Sequence, residues 1–379
     1  MEKIKKWIWQ HDEYPNFNYE QSSLNTLLSE VSRNTGRLEG AIYGLTDKNI
    51  NSLVIDATVN EILQSSEIEG EILSRDSVRS SVRKKLDKTF DYVNDSSTHH
   101  TDGLVTLLLD SQHNDALLTE ERLHGWHSIL FPTGYSDGDK IDVATYRSDE
   151  MSVVSTKGYR EKVHYLAPPH EELTEQMNEL LDYINSSKED PYVKSAIAHI
   201  WFVSIHPYDD GNGRIARAIT NYVLSKELGL DHKYYSLSTA IRKDRKGYYD
   251  GLEKSQNLFY NREFDFTKWV LWHTNMINSA IESSLEQIKI ITQKTKFWDK
   301  AREYPLNVRQ LKVLNKLLDK GIENFKGGLS TKKYANMVNT SIATAKRDIT
   351  ELVGYGLIEQ VEGSSGRNTR YIIKYNRVM

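Results

Sequence analysis

The 379 residues include no cysteine. That absence excludes a disulfide framework, a thiolate zinc site and a cysteine nucleophile together. The chain also lacks any run approaching the roughly 18 consecutive apolar residues that a membrane-spanning helix needs, so no membrane association is expected. The opening, MEKIKKWIWQHDEYPNF, has basic residues but no apolar core or small-residue cleavage site, so no export signal is expected and the cytoplasm is the expected compartment. A disordered tail is excluded as well. Hydrophobic residues make up 38%, charged residues 27% and aromatics 10%, enough to bury cores, and the length suggests two or three domains.

The net charge of −4 conceals a strong asymmetry. Residues 300–379 carry 15 Lys plus Arg against 7 Asp plus Glu, a net of +8, which leaves −12 for the first 299. A basic C-terminal unit on an acidic body points to an anionic partner for that unit, with nucleic acid the first candidate.

Along the chain, the aromatic cluster Trp7, Trp9, Tyr14, Phe17 and Tyr19 reads as a segment strapped onto a core. From Tyr19 to about Lys85 the apolar spacing is helical, with Leu24, Leu27, Leu28 and Val31 on one stripe and Val59, Ile62 and Leu63 on another. Residues 86–103 are expected to form a polar connection. His99 and His100 lie there without carboxylates or a third ligand at suitable spacing, and no metal is assigned to them. Leu104–Leu118 and Glu120–Ile129 are expected helices, Thr119 capping the second. The stretch VATYRSDEMSVVSTKGYREKVHYLAPP carries β-branched and aromatic residues on both sides of Lys157-Gly158, which predicts a hairpin among helices. Helical periodicity returns over Glu171–Ile184 and Pro191–Ile205.

The second of these helices runs into the string from His206 to Arg217, HPYDDGNGRIAR. Gly211 and Gly213 free the backbone to curl around a ligand, and a helix opens at about Arg214 with its N-terminus toward the turn. Glycine-rich backbone N–H groups and the positive end of a helix form an anion cradle suited to phosphate. Arg214 and Arg217, three apart, share a side of that helix, and two guanidiniums imply more than one phosphate. Asp210 is placed to hold Mg²⁺, an ion that takes one or two carboxylates and fills its remaining sites with phosphates and water. His206, at the end of the preceding helix, is placed to take a proton from an attacking hydroxyl.

These residues resemble the H-x-F-x-(D/E)-G-N-G-R-x-x-R signature of Fic-domain proteins, with Tyr208 where phenylalanine is usual. The resemblance covers about residues 104–260. It implies an all-α, mainly helical fold with a β-hairpin flap that pins a target segment. It also implies transfer of AMP from ATP to a Tyr, Thr or Ser hydroxyl of a protein. On that reading His206 is the general base, Asp210 the Mg²⁺ ligand, Gly211, Asn212 and Gly213 the anion hole, and Arg214 and Arg217 the phosphate ligands. Tyr248 and Tyr249 fall near the adenine. Ser65, Glu69 and Gly70 in SSEIEG resemble the (S/T)-x-x-x-E-(G/N) inhibitory helix, here within about residues 55–70. A glutamate paired with Arg217 would exclude the ATP γ-phosphate from that guanidinium, so autoinhibition is expected.

In the basic C-terminal unit an amphipathic helix over Leu306–Leu318 is followed by one over Lys332–Val338, capped by Ser330-Thr331. A tight turn at Asn339-Thr340-Ser341 leads into a third helix with Ile342, Ala345, Ile349 and Leu352 on one face, and LIEQV and TRYIIK flank a polar tip. This order resembles a winged helix with Ser341–Val353 in the recognition position, a fold used equally for DNA and for dimer contacts. The expected division is 1–100 for an N-terminal helical region, 101–299 for the catalytic core and 300–379 for the winged helix. ATP, a target protein and a second copy of the chain are the expected partners, with DNA a candidate partner of the last unit. Two further functions stay open at this point: a nucleotide-sensing DNA-binding regulator, and an enzyme acting mainly in removal of AMP.

Overall fold

The structure, a computed structural model, describes residues 5–87, 89–157, 160–228, 234–319 and 327–374. The expected hairpin tip at Gly158 lies outside them. The chain divides into two compact units, 1–284 and 285–379.

In the first unit the helices are α1 (Gln21–Ile42), α2 (Asp47–Ile68), α3 (Arg75–Leu86), α4 (His99–His113) and α5 (Glu120–Leu130), followed after the strands by α6 (Leu173–Ser186), α7 (Pro191–Ile205), α8 (Asn212–Leu228), α9 (Leu237–Lys243) and α10 (Arg245–Gln256). The longest, α11 (Thr267–Ala301), continues past the boundary between the units. Helix α7 is the centre of this unit. Its sequence is apolar nearly all round, and a helix without a polar face must be enclosed. Every residue from Tyr192 to Ile205 is buried, with α6 and α8 packed against it. Asp190 caps it and Pro191 occupies its first turn, where no backbone donor is needed.

Two antiparallel hairpins sit among the helices. The smaller pairs β1 (Tyr135–Ser136) with β2 (Asp139–Lys140), and the larger pairs β3 (Ser152–Lys157) with β4 (Arg160–Leu166). A two-stranded hairpin is marginal alone in water, so its root has to be anchored. Tyr165 supplies this by burying its ring edge-on against Trp7, centroids 5.5 Å apart, and donating its hydroxyl to Ser204 O at 2.8 Å. Trp9 Nε1 donates to Leu166 O at 2.9 Å, so the aromatic N-terminal segment is packed against the hairpin root.

Two expectations need correction. Helix α4 spans His99–His113 rather than Leu104–Leu118, because Thr98 and Thr101 form a capping box that starts a helix inside the polar stretch and the chain leaves the helix at Asn114. The β1–β2 hairpin was not expected: two residues per strand give no readable alternation.

The second unit contains α12 (Val308–Asp319), α13 (Thr331–Val338), α14 (Ile342–Gly354) and the antiparallel pair β5 (Ile358–Gln360) and β6 (Tyr371–Ile373). Its core is built from Val313, Leu314, Tyr334, Ala345, Ile349 and Leu352 among others. Asp348, 1% exposed, accepts two hydrogen bonds from Arg309 at 2.8 and 3.0 Å and one from the Tyr334 hydroxyl at 3.0 Å.

Candidate functional site

The site is built on the turn between α7 and α8. His206 closes α7 in the left-handed region, φ 51° and ψ 58°, donating its backbone N–H to Phe202 O at 3.0 Å. For a residue with a Cβ this conformation costs about 1–2 kcal/mol, so surrounding contacts must hold it. Arg147, 3% exposed, provides them: its Nε donates to His206 O at 2.8 Å, its backbone N–H to Pro207 O at 2.9 Å and its Nη2 to Pro168 O at 2.6 Å. The imidazole Nδ1 lies 3.3 Å from Val203 O. A carbonyl only accepts, so Nδ1 carries the proton and the neutral ring presents its lone pair at Nε2. Withdrawal from water holds the His206 pKa down at about 4, which keeps the ring neutral at pH 7.

The turn is braced from within. Asn212 Oδ1 accepts from Tyr208 N–H at 3.1 Å and its Nδ2 donates to Tyr208 O at 2.7 Å, so this side chain is engaged in closing the turn. Gly211 sits at φ 81°, and a Cβ there would stand 2.8 Å from the Phe131 ring. Tyr208 is fully buried, stacked on His127 with centroids 4.2 Å apart, and its hydroxyl meets His124 Nδ1 at 2.9 Å. The hydroxyl that distinguishes it from phenylalanine therefore has a partner.

Two arginines of α8 lie against the C-terminal end of α2, and each faces a carboxylate. Arg217, 1% exposed, donates from Nε and Nη2 to Ser65 Oγ and O at 2.9 and 2.8 Å, and its Nη1 stands 2.8 Å from Glu69 Oε1. Burial works against its charge, but Glu69, with Tyr248 and Glu61 adding to it, outweighs this and the pKa lies above the ordinary value. The Glu69 carboxylate is so close over the start of α8 that a Cβ at Gly213 would collide with its Oε1. Gly70, at φ 93°, turns the chain out of the helix immediately afterwards. Arg214 donates to Glu71 Oε2 at 3.2 Å, and Glu71 Oε1 lies 2.7 Å from His100 Nε2. The His100 hydrogen bond and, less strongly, the Arg214 charge hold the Glu71 carboxyl below its usual range. Glu67 pairs with Arg242 at 2.7 Å. Spacing along the sequence marks neither Glu71 nor Glu67, and the carboxylate beside His100 comes from 29 residues away.

A cavity of about 590 Å³ opens beside these groups. His206, Gly213 and Glu69 form its floor, Val153, Val154 and Ser155 of β3 line one wall, and α10 supplies the other. Tyr248 is 2% exposed with its hydroxyl 3.0 Å from His199 Nε2; Tyr249 is 41% exposed and donates its hydroxyl to Ile68 O at 3.0 Å. Both tyrosines line the cavity, Tyr249 at its rim. Asp210 stands 44% exposed and accepts from the Ser136 hydroxyl, with Arg214 Nη2 3.6 Å away. Among the described residues no three His, Asp or Glu side chains gather as a metal site. A lone, partly exposed carboxylate fits Mg²⁺ only as one ligand of an ion that takes its others from phosphates and water.

The arrangement supplies a neutral imidazole and a helix N-terminus at the cavity, and the same helix carries two largely buried guanidiniums that Glu69 and Glu71 cover. These groups can bind phosphates and accept a proton next to them. The residues the sequence did not reveal, Arg147, Glu71 and His100 among them, act through partners far away in the chain.

Comparison with known proteins gives the family context. Residues 117–224 match the Fic/DOC family, and residues 7–87 match a domain of unknown function, DUF4172. The chain is 28% identical over 119 residues to a uridine 5′-monophosphate transferase of Xanthomonas campestris pv. campestris, covering 29% of this chain and 22% of that protein. It is 36% identical over 75 residues to the protein adenylyltransferase fic-1 of Caenorhabditis briggsae, 19% of this chain and 14% of that one. Over 89 residues it is 32% identical to the protein adenylyltransferase Fic of Nematostella vectensis, 23% of this chain and 19% of that one. The chain therefore spans less than a quarter of each of these relatives. In fold it is similar to a Fic family protein from Desulfovibrio desulfuricans, with TM-score 0.56 at 20% identity over 94% of this chain and 97% of the other. A Fic domain-containing signaling protein from Bacteroides thetaiotaomicron gives TM-score 0.51 at 19% identity, over 70% and 97%.

Proposed function

We propose that this chain, whose residues 117–224 form a Fic/DOC domain, transfers AMP from ATP to a Tyr, Thr or Ser hydroxyl of a protein and is held inactive by Glu69. The observation that carries this reading is the Glu69 carboxylate 2.8 Å from Arg217 and lodged over Gly213, where an anion already occupies the guanidinium that a nucleotide phosphate needs. Names of adenylyltransferase relatives support the AMP donor, and a UMP transferase among them keeps uridine nucleotides as the competitor.

In the released state Arg214, Arg217 and the backbone N–H groups at Gly211, Asn212 and Gly213 hold the phosphates. Tyr248 and Tyr249 border the base end of the cavity. His206 Nε2 takes the proton as the acceptor hydroxyl attacks the α-phosphorus, and pyrophosphate leaves in line. Mg²⁺ bound through Asp210 would neutralise phosphate charge. Ser65 orients Arg217 toward Glu69, and Gly70 lets the chain leave the helix directly behind it. The domain division is proposed as 1–100, 101–299 and 300–379, the last a winged helix, and the cytoplasm as the compartment.

The test uses ATP labelled on the α-phosphate with Mg²⁺. Glu69→Gly is expected to incorporate label faster than the native chain, and His206→Ala in that background to lose about 10² to 10⁴ of the rate while still binding ATP. Undiminished transfer by the His206 variant overturns the reading, and UTP outcompeting ATP reassigns the donor. The +8 charge of the last 80 residues favours a second reading, nucleotide-linked DNA binding by that unit. Salt-sensitive DNA binding without any transfer would establish it instead.

A further inference from the structure

The two walls of the cavity are joined by one side chain that the reaction does not use. Glu253, on α10, faces the hairpin: Lys162 Nζ lies 2.6 Å from its Oε1 and His164 Nδ1 lies 2.9 Å from its Oε2. His164 carries the connection onward, its Nε2 lying 2.6 Å from Ser155 Oγ on β3. A single carboxylate thus holds β4 directly and β3 through His164.

The backbone is shaped for this contact. Val153 pairs with Tyr165 and Val154 with Val163, so the register slips by one residue and His164 is left without an opposite number on β3. A bulge of this kind bends a strand and re-aims a side chain, and the residue it frees is the one that reaches Glu253. The root of the hairpin is already fixed by Tyr165 and Trp9, and a two-stranded ribbon needs a second point of support to keep its position. Glu253 supplies it from the helix that also carries Tyr248 and Tyr249. Beside the tether, Val153 and Val154 present side chains 38% and 43% exposed at the cavity wall.

We infer that Glu253 is a positioning residue for the acceptor substrate: it sets the distance of the hairpin from α10, and so the approach of an acceptor hydroxyl to His206. The inference rests on the transfer activity proposed above. It concerns the protein acceptor rather than the nucleotide, because Glu253 contacts hairpin side chains and neither arginine.

The experiment uses the full chain carrying Glu69→Gly as the enzyme, α-labelled ATP as donor, and the full chain carrying His206→Ala as titrated acceptor. Glu253→Ala is expected to raise the apparent KM for acceptor about tenfold, with the rate at saturating acceptor and the Kd for ATP held within about twofold. Reversing the pair, Glu253→Lys with Lys162→Glu, is expected to recover a large part of the loss, which a general packing defect would not allow. Hydrogen exchange provides the reading that needs no turnover: amides of Ser152–Lys157 and Arg160–Leu166 should exchange about tenfold faster in Glu253→Ala, with α7 unchanged. An unchanged acceptor KM overturns the inference even if exchange rises. If the Glu69→Gly enzyme transfers no label, the proposed activity fails in its own right, and unchanged hairpin exchange then overturns the tether separately.

Discussion

Glu69 and Glu253 approach the same cavity from different helices, and each holds a cation. Their partners differ in what they can do without them. Arg217 is 1% exposed and cannot turn to water, so removing its carboxylate leaves a buried charge that only another anion can satisfy. Lys162 is 61% exposed in its side chain and can be hydrated where it stands. On the proposed function the first pair is a seat that exchanges occupants, carboxylate for phosphate. The second is an adjustable tie whose loss changes position more than energy.

The strongest way to break this comparison is to withdraw Glu69. Glu69→Gly is expected to lower stability by about 3 kcal/mol, and phosphate or ATP should restore most of it, read as a ligand-dependent rise in Tm. A loss that no anion restores would refute the exchangeable seat. Acid is the next probe. His127 and His206 have pKa values held near 4, and His273 near 3, by burial. Between those values and the ordinary 6.5 the unfolded chain binds protons that the fold refuses, so stability is complete above about pH 6.5 and falls as pH drops. Each such histidine adds a slope of about 1.4 kcal/mol per pH unit within that window. Urea midpoints at pH 7, 6 and 5 measure this, and His273→Leu should flatten the curve. Glu71→Gln, which weakens the hold on Arg214 but keeps a hydrogen-bonding group for His100, should cost about 1 kcal/mol and tighten ATP binding in the Glu69→Gly background. Calorimetric titration with ATP checks it. Glu253→Gln sits at the bottom, with an expected change below about 1 kcal/mol that nucleotide does not reverse.

The parts of the molecule that were readable in sequence are those whose logic is local. The α7–turn–α8 segment was legible because a largely apolar helix, a histidine at its end, two glycines and two arginines fall within one continuous stretch. Helix α2 and the large hairpin followed from periodicity in the same way. What escaped depends on distance. His100 meets Glu71 across 29 residues, His164 meets Glu253 across 89, and Arg147 reaches His206 across 59. No spacing rule connects such positions, and each of these residues taken alone reads as an ordinary polar group. The early start of α4 escaped for another reason: the Thr98 capping box lies in a string dominated by loop-forming residues, where an N-terminal signal is masked by its neighbours.

Arg147 also bears on how the site could move. Its guanidinium reaches the carbonyl of His206 and the carbonyl of Pro168, just beyond the end of β4. The base and the hairpin root are thereby referred to one rigid planar group, as two arms are to a common pivot. On the proposed function, a hairpin displaced by an entering acceptor would turn about that pivot and leave the imidazole where it was. On that function the proton acceptor would keep its position whatever the size of the substrate that the hairpin admits.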